Sequence, residues 1–138
     1  MAKNIDKMLI SKLIEDSDTP IAKLAQALGV SRGTVRNRLT SLKSSKVLIG
    51  YKARARLKQL GMDEALVGID ILPEKYLDVI SRLRDTESVK ELYRTSGDHS
   101  AIVLMVADSG AIESEISKLK GIEGVRNVYP SFVQETVK

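Results

Sequence analysis

The 138-residue chain has no cysteine and no tryptophan, a single histidine (His99), four tyrosines and one phenylalanine. The missing cysteines exclude disulfides, thiolate metal sites and a cysteine nucleophile. One histidine is too few for a histidine-rich metal centre. No apolar run reaches the roughly 18 residues a membrane-spanning helix needs. The opening residues, Met1 to Asp6, lack the apolar core of a secretory signal. The expectation is a cytoplasmic protein with no membrane partner and no cofactor. A hydrophobic content of 43% and a charged content of 29% are those of an ordinary globular chain.

The most informative absence is local. From Thr19 to Met62 there is no Asp or Glu, yet the stretch holds Lys23, Arg32, Arg36, Arg38, Lys43, Lys46, Lys52, Arg54, Arg56 and Lys58. The whole chain is only +4, with 22 basic and 18 acidic residues, so 12 basic residues face 18 acidic ones outside those ten. A concentrated positive field attracts a polyanion, nucleic acid above all. A solvated basic face would show the same charge, so the pattern inside the stretch has to decide.

Three helical patterns precede residue 46. Asn4 is suited to N-cap the first, in which Ile5, Met8, Leu9 and Leu13 recur at helical spacing. Thr19 as N-cap and Pro20 at the first helical position open the second, with Ile21, Leu24, Ala25 and Leu28 on its apolar face and Gly29 at its end. Ser31 caps the third, whose buried stripe is Val35, Leu39 and Leu42. Two short helices joined by a glycine-containing turn describe a helix-turn-helix. The small Ala25 lets the third helix pack closely and enter a major groove with its N-terminal half. Arg32, Arg36, Asn37 and Arg38 are residue types that bond base edges, with Thr34 and Lys43 on the same helix. Thr19 and Ser31 are placed to meet phosphates. The next segment, Val47 to Ala55, reads as extended, with Lys52, Arg54 and Arg56 alternating at period two. It is expected to be a linker strand, or wing, that touches phosphate through Lys52.

Near Met62 the charge and the periodicity both change. Ala65–Leu72 reads as a strand, and Pro73 opens a helix with Leu77, Ile80 and Leu83 on one side. Val89–Thr95 reads as a strand, Gly97-Asp98 as a turn, and Ala101–Val106 as a strand buried on both faces. Asp108 or Ser109 is expected to cap a helix carrying Ile112, Ile116 and Leu119, and Val125–Val137 reads as a last strand. Pro130 cannot donate to a ladder, which argues for an edge or a bulge there. The order β-α-β-β-α-β is the ferredoxin-like arrangement. The fold class is therefore α+β: a winged-helix-like helix-turn-helix domain over residues 1–47, a linker over 48–61, and a ferredoxin-like domain over 62–138. The second face of such a sheet needs a cover, and a second copy packing sheet to sheet would supply it.

Taken together, Ile5-Asp6-Lys7-Met8-Leu9-Ile10, Ile21-Ala22-Lys23-Leu24-Ala25, Leu28-Gly29-Val30-Ser31, Thr34-Val35-Arg36-Asn37-Arg38-Leu39 and Val47-Leu48-Ile49-Gly50-Tyr51 resemble the Lrp/AsnC family of transcription regulators. The resemblance implies dimers that associate further, often to octamers, and an amino-acid effector bound between subunits near the turn of the second and third C-terminal strands. Here that turn is Thr95-Ser96-Gly97-Asp98-His99-Ser100, with Ser100 where the family commonly has Asp. Backbone N–H groups there could hold an α-carboxylate and Asp98 an α-ammonium. Tyr76 and Tyr129 are further pocket candidates. A plain hairpin turn is the alternative for the segment. For the chain, the alternatives are an enzyme resembling siroheme decarboxylases, relatives of the same fold, and an architectural DNA binder without an effector.

Overall fold

A computed structural model of the chain describes residues 2–138, with side chains from Asn4 onward; Met1, the expected first residue of the N-terminal domain, lies outside it. The chain divides into two compact units, one ending at Arg54 and one running from Ala55 to Lys138.

The N-terminal unit is three helices: α1 (Ala2–Glu15), α2 (Ile21–Leu28) and α3 (Arg32–Ser44). Their apolar stripes meet in one core of Leu9, Leu13, Leu24, Ala25, Val35 and Leu42. Gly29 takes the left-handed conformation at the end of α2, and the Val30 N–H reaches back to the Ala25 carbonyl, closing the helix as a glycine C-cap does. The Ser31 hydroxyl accepts from the Thr34 N–H, as expected of an N-cap. Two expected caps are displaced. Asn4 lies inside α1 rather than before it. At α2 the cap position is Pro20, which offers no side-chain acceptor, while Thr19 Oγ1 donates 2.7 Å to the Asp16 carbonyl and closes the preceding turn instead.

After α3 the chain does not form the expected strand. From Val47 to Arg56 no strand ladder is formed among the described residues. Val47, Ile49 and Tyr51 remain exposed, Ile49 by 90%.

The second unit opens with a 3₁₀ turn, Leu57–Leu60, and continues through β1 (Met62–Ile71), a 3₁₀ turn at Pro73–Lys75, α4 (Tyr76–Arg84), β2 (Val89–Arg94), β3 (Ala101–Asp108), α5 (Ile112–Lys120) and β4 (Val125–Phe132). The sheet is antiparallel in the order β2-β3-β1-β4. Ala65, Val67, Ile69 and Ile71 of β1 and Ala101, Val103 and Met105 of β3 are buried with Val79, Ile80, Leu83, Ile112, Ile116 and Leu119 of the helices. The opposite face carries Leu66, Gly68 and Asp70 opposite Leu104, Ile102 and their neighbours.

Several sequence expectations shift here. Strand β3 is buried on one face only; Ile102, Leu104 and Val106 are half-buried, because both helices of the second unit pack on the other side. On α4 the buried residues are Val79, Ile80 and Leu83, and Leu77 is 72% exposed. Tyr76, Val79, Ile80 and Leu83 fall at i, i+3, i+4 and i+7 and form the inward stripe, so Leu77 stands to its side. Neither Asp108 nor Ser109 caps α5; Ala111 holds that position, and Asp108 ends β3. The last strand stops at Phe132, with one further bond from the Val133 N–H to the Glu64 carbonyl. Pro130 does sit on the edge strand, opposite Val67.

Gly124 turns the chain into β4 with φ +101°, and its carbonyl accepts from the Leu72 N–H at 2.8 Å. A Cβ there would overlap the Lys75 side chain and stand 2.9 Å from Val79 Cγ2. Gly124→Ala therefore combines an unfavourable φ with a clash against the buried start of α4. A loss of about 2 kcal/mol or more is expected, read as a lowered melting temperature.

Candidate nucleic-acid interface and effector turn

Helix α3 buries Val35 and Leu42 and turns Arg32, Gly33, Arg36, Asn37, Thr40 and Ser41 to solvent. Arg32, Arg36 and Asn37 thus share an exposed face, free to meet base edges. Thr34 is half-buried, and its Oγ1 lies 3.0 Å from Ser31 Oγ, so both hydroxyls are engaged in starting the helix. Lys43 is exposed, with Nζ 5.5 Å from the centre of the Tyr51 ring. Lys52 is exposed on the connector and also has a contact within the protein.

Arg38 is not where a base-reading residue should be. Its Nε and Nη2 donate to the two carboxylate oxygens of Asp6, each at 2.7 Å, so the guanidinium joins α3 to α1. The bidentate bond holds the Asp6 carboxyl below its usual value and raises Arg38, hydrogen bonding being the larger cause in both. Arg36 and Arg38 are two residues apart and so point about 200° away from each other on a helix. Thr19, spent on the Asp16 carbonyl, is likewise occupied.

Two exposed residues of this face had no sequence signal, Gly33 and Thr40. A Cβ on Gly33 would meet nothing closer than Ser31 Oγ at 3.8 Å. Nothing within the chain requires glycine at that position, although glycine weakens a helix.

In the second unit the turn between β2 and β3 is stitched at both ends. The Thr95 N–H donates to the Ser100 carbonyl and Thr95 Oγ1 to the His99 carbonyl, at 3.1 and 2.7 Å. The Ser100 N–H donates to the Ile69 carbonyl, and Ser100 Oγ accepts from the Ile71 N–H. Ser96, Gly97 and Asp98 stand exposed at the tip, Gly97 with φ +107°.

The expected effector residues fall into two groups. His99 folds onto the open sheet face. Its Nδ1 is 3.0 Å from Asp70 Oδ1, and its ring stacks 5.0 Å from that of Tyr129. Gly68, paired with Tyr129, leaves the space for the imidazole; a Cβ there would overlap the ring. Tyr76 lies on the other side, packed against the helix-covered core. It donates to the Ser100 carbonyl at 3.2 Å and accepts from Arg94 Nε at 3.3 Å. Tyr76 and Tyr129 therefore lie on opposite sides of the sheet: Tyr129 pairs with Gly68 on the open face, and Tyr76 stands in the helix layer that covers the other. Asp70 and Arg94 went unrecognised in the sequence, where each reads as an ordinary charge on a strand.

The two units have parallels in known proteins. The Lrp/AsnC ligand binding domain matches residues 64–138, and the AsnC-type helix-turn-helix domain matches residues 4–43. The chain is 35% identical over 136 residues to the HTH-type transcriptional regulator LrpA of Pyrococcus horikoshii, covering 96% of each. It is 35% identical over 139 residues to LrpA1 of Halobacterium salinarum, covering 99% of this chain and 98% of that one. Among solved structures it is similar to a feast or famine regulatory protein from M. tuberculosis complexed with L-methionine. That match has 28% identity and a TM-score of 0.76, and it covers 100% of this chain and 95% of the other.

The Asp6–Arg38 pair carries a pH dependence. Because the folded-state carboxyl is depressed, its stabilisation is complete well above the ordinary carboxylate value of about 4 and is lost as pH falls through and below it. Asp6→Asn should lower the melting temperature at neutral pH and flatten the acid-side decline, as followed by thermal melts across pH. An unchanged acid limb would show that the pair does not hold α1 to α3.

Proposed function

The chain belongs to the Lrp/AsnC family of transcription regulators, and on that footing we propose that it is a cytoplasmic, homodimeric, sequence-specific DNA-binding regulator whose assembly or DNA binding responds to an amino acid. The observation that carries the reading is the exposed face of α3. Arg32, Arg36 and Asn37 stand exposed on a helix whose opposite side is buried and which lies in a stretch of sequence, Thr19 to Met62, with no acidic residue. Such a helix can lie in a major groove with its amides and guanidiniums against bases, while Ser31, Thr34, Lys43 and Lys52 approach the backbone.

The exposed residues of the connector and the uncovered sheet face support a second copy. Val47, Ile49 and Tyr51 alternate along an unpaired segment, and Leu66, Tyr93 and Tyr129 stand exposed on one side of the sheet. Apolar surface of this kind in a regulator that reads two half-sites is met by a twofold partner. Further association to octamers follows the family pattern. An amino-acid effector is supported by the matched ligand-binding domain and by the relative held with L-methionine. The regulators named above favour this reading over an enzyme resembling siroheme decarboxylases. An effector-free architectural binder would show no response to any amino acid.

Arg36→Ala should weaken binding to the selected operator by about 1–3 kcal/mol and relax preference at one base position, measured by titration against operator and scrambled duplexes. Equal loss on both would place Arg36 on phosphate. Lys52→Ala should lower the salt slope by about one unit. Gly33→Ala should stabilise the free protein by up to about 1 kcal/mol yet weaken DNA binding, if the glycine is there for a close approach of DNA. Unaltered affinity would show the glycine to be merely tolerated.

A further inference from the structure

Several charges sit in ion pairs. Lys75 faces Glu123, Lys118 faces Glu115, His99 faces Asp70 and Arg38 faces Asp6. Arg94, at the end of edge strand β2, does not form an ion pair among the described residues. It is nonetheless held in place. Its Nε donates to Tyr76 Oη, and its Cζ lies 5.1 Å from the centre of the Tyr76 ring. The same phenol donates to the Ser100 carbonyl, so one tyrosine ties the guanidinium to the far end of the turn.

The use made of Nε matters. With that nitrogen turned to Tyr76, the two terminal nitrogens remain, and they form the fork that meets a carboxylate end-on through two parallel hydrogen bonds. Next to the fork is a turn whose tip residues Ser96, Gly97, Asp98 and His99 do not donate their backbone N–H groups to acceptors within the described chain. Asp98 stands exposed at that tip, also without an ion pair among the described residues. A cation fixed by an aromatic ring, free N–H groups and a carboxylate four residues further on are complementary to a small zwitterion.

We propose that Arg94, oriented by Tyr76, holds the α-carboxylate of the amino-acid effector on the helix-covered side of the β2–β3 turn, with Asp98 meeting the α-ammonium. The proposal rests on the reading of this turn as the effector site and names the group that binds the acid. It also separates the roles of the two clusters: the Tyr76–Arg94 side binds the ligand, and the His99–Asp70–Tyr129 side belongs to the sheet face.

The test is calorimetry of the full chain with each of the twenty protein L-amino acids, followed by the carboxamide of the tightest binder. The wild type should bind the acid and reject the carboxamide. Arg94→Gln should bind the acid at least about tenfold more weakly and lose the discrimination between acid and carboxamide. Arg94→Lys should fall between, keeping the charge but losing the planar fork and the ring contact. Tyr76→Phe should weaken the acid while leaving the preference for it, because the cation remains but is less well held. Arg94 is exposed at a strand end, and melting curves of the variants should match the wild type. If Arg94→Gln binds the acid as the wild type does, or loses acid and carboxamide in equal proportion, the inference is overturned while the effector reading stands. If the wild type binds none of the twenty, the effector reading itself fails and takes this one with it.

Discussion

The second unit depends on the two-residue alternation of its central strand. Strand β1 has a ladder on both sides, to β3 and to β4, so its backbone is fully committed and only its side chains can vary. Ala65, Val67, Ile69 and Ile71 go to the helices, and that choice leaves Leu66, Gly68 and Asp70 on the other face. The helix layer, the strand end that carries Arg94 and the open face on which His99 lies all take their places from this parity. A one-residue slip would exchange the faces and destroy the core and both clusters together.

The N-terminal unit is organised by different means. Its core is small, and the junction of α2 and α3 is specified by end signals, the left-handed Gly29 and the Ser31 cap, together with the close packing at Ala25. The Asp6–Arg38 bond joins the first helix to the third. One arginine of α3 therefore stabilises the arrangement that lets its neighbours Arg32 and Arg36 face outward. The division of labour follows from helical period, since a helix presenting residues on every side must spend some of them on its own support.

Much of the architecture was legible in the residues. Helix ends marked by Gly29 and Ser31, the strand-helix alternation after Met62 and the edge position of Pro130 are local signals, and local signals survive into the folded chain. What failed was also local in origin. Thr19 is a good cap by type, but a nearer carbonyl took its hydroxyl. Leu77 is apolar and spaced to join Ile80 and Leu83, but the inward stripe of α4 is Tyr76, Val79, Ile80 and Leu83, which leaves Leu77 exposed. The extended segment after α3 has the right composition for a strand but joins no ladder among the described residues.

The amino-acid sequence by itself determined the two-part plan, the partition of charge between the parts and the identity of the helix with the exposed basic face. These depend on composition, capping chemistry and period, all of which act over a few residues. Only the tertiary structure decided that Arg38 is a strut and Arg36 is free, that Tyr76 and Tyr129 lie on opposite sides of the sheet, and that Asp70 and Arg94 belong beside the turn. Asp6 and Arg38 are separated by 32 residues, Asp70 and His99 by 29, and Tyr76 and Arg94 by 18. Pairings over such distances are set by helix packing and strand register, which no local pattern encodes.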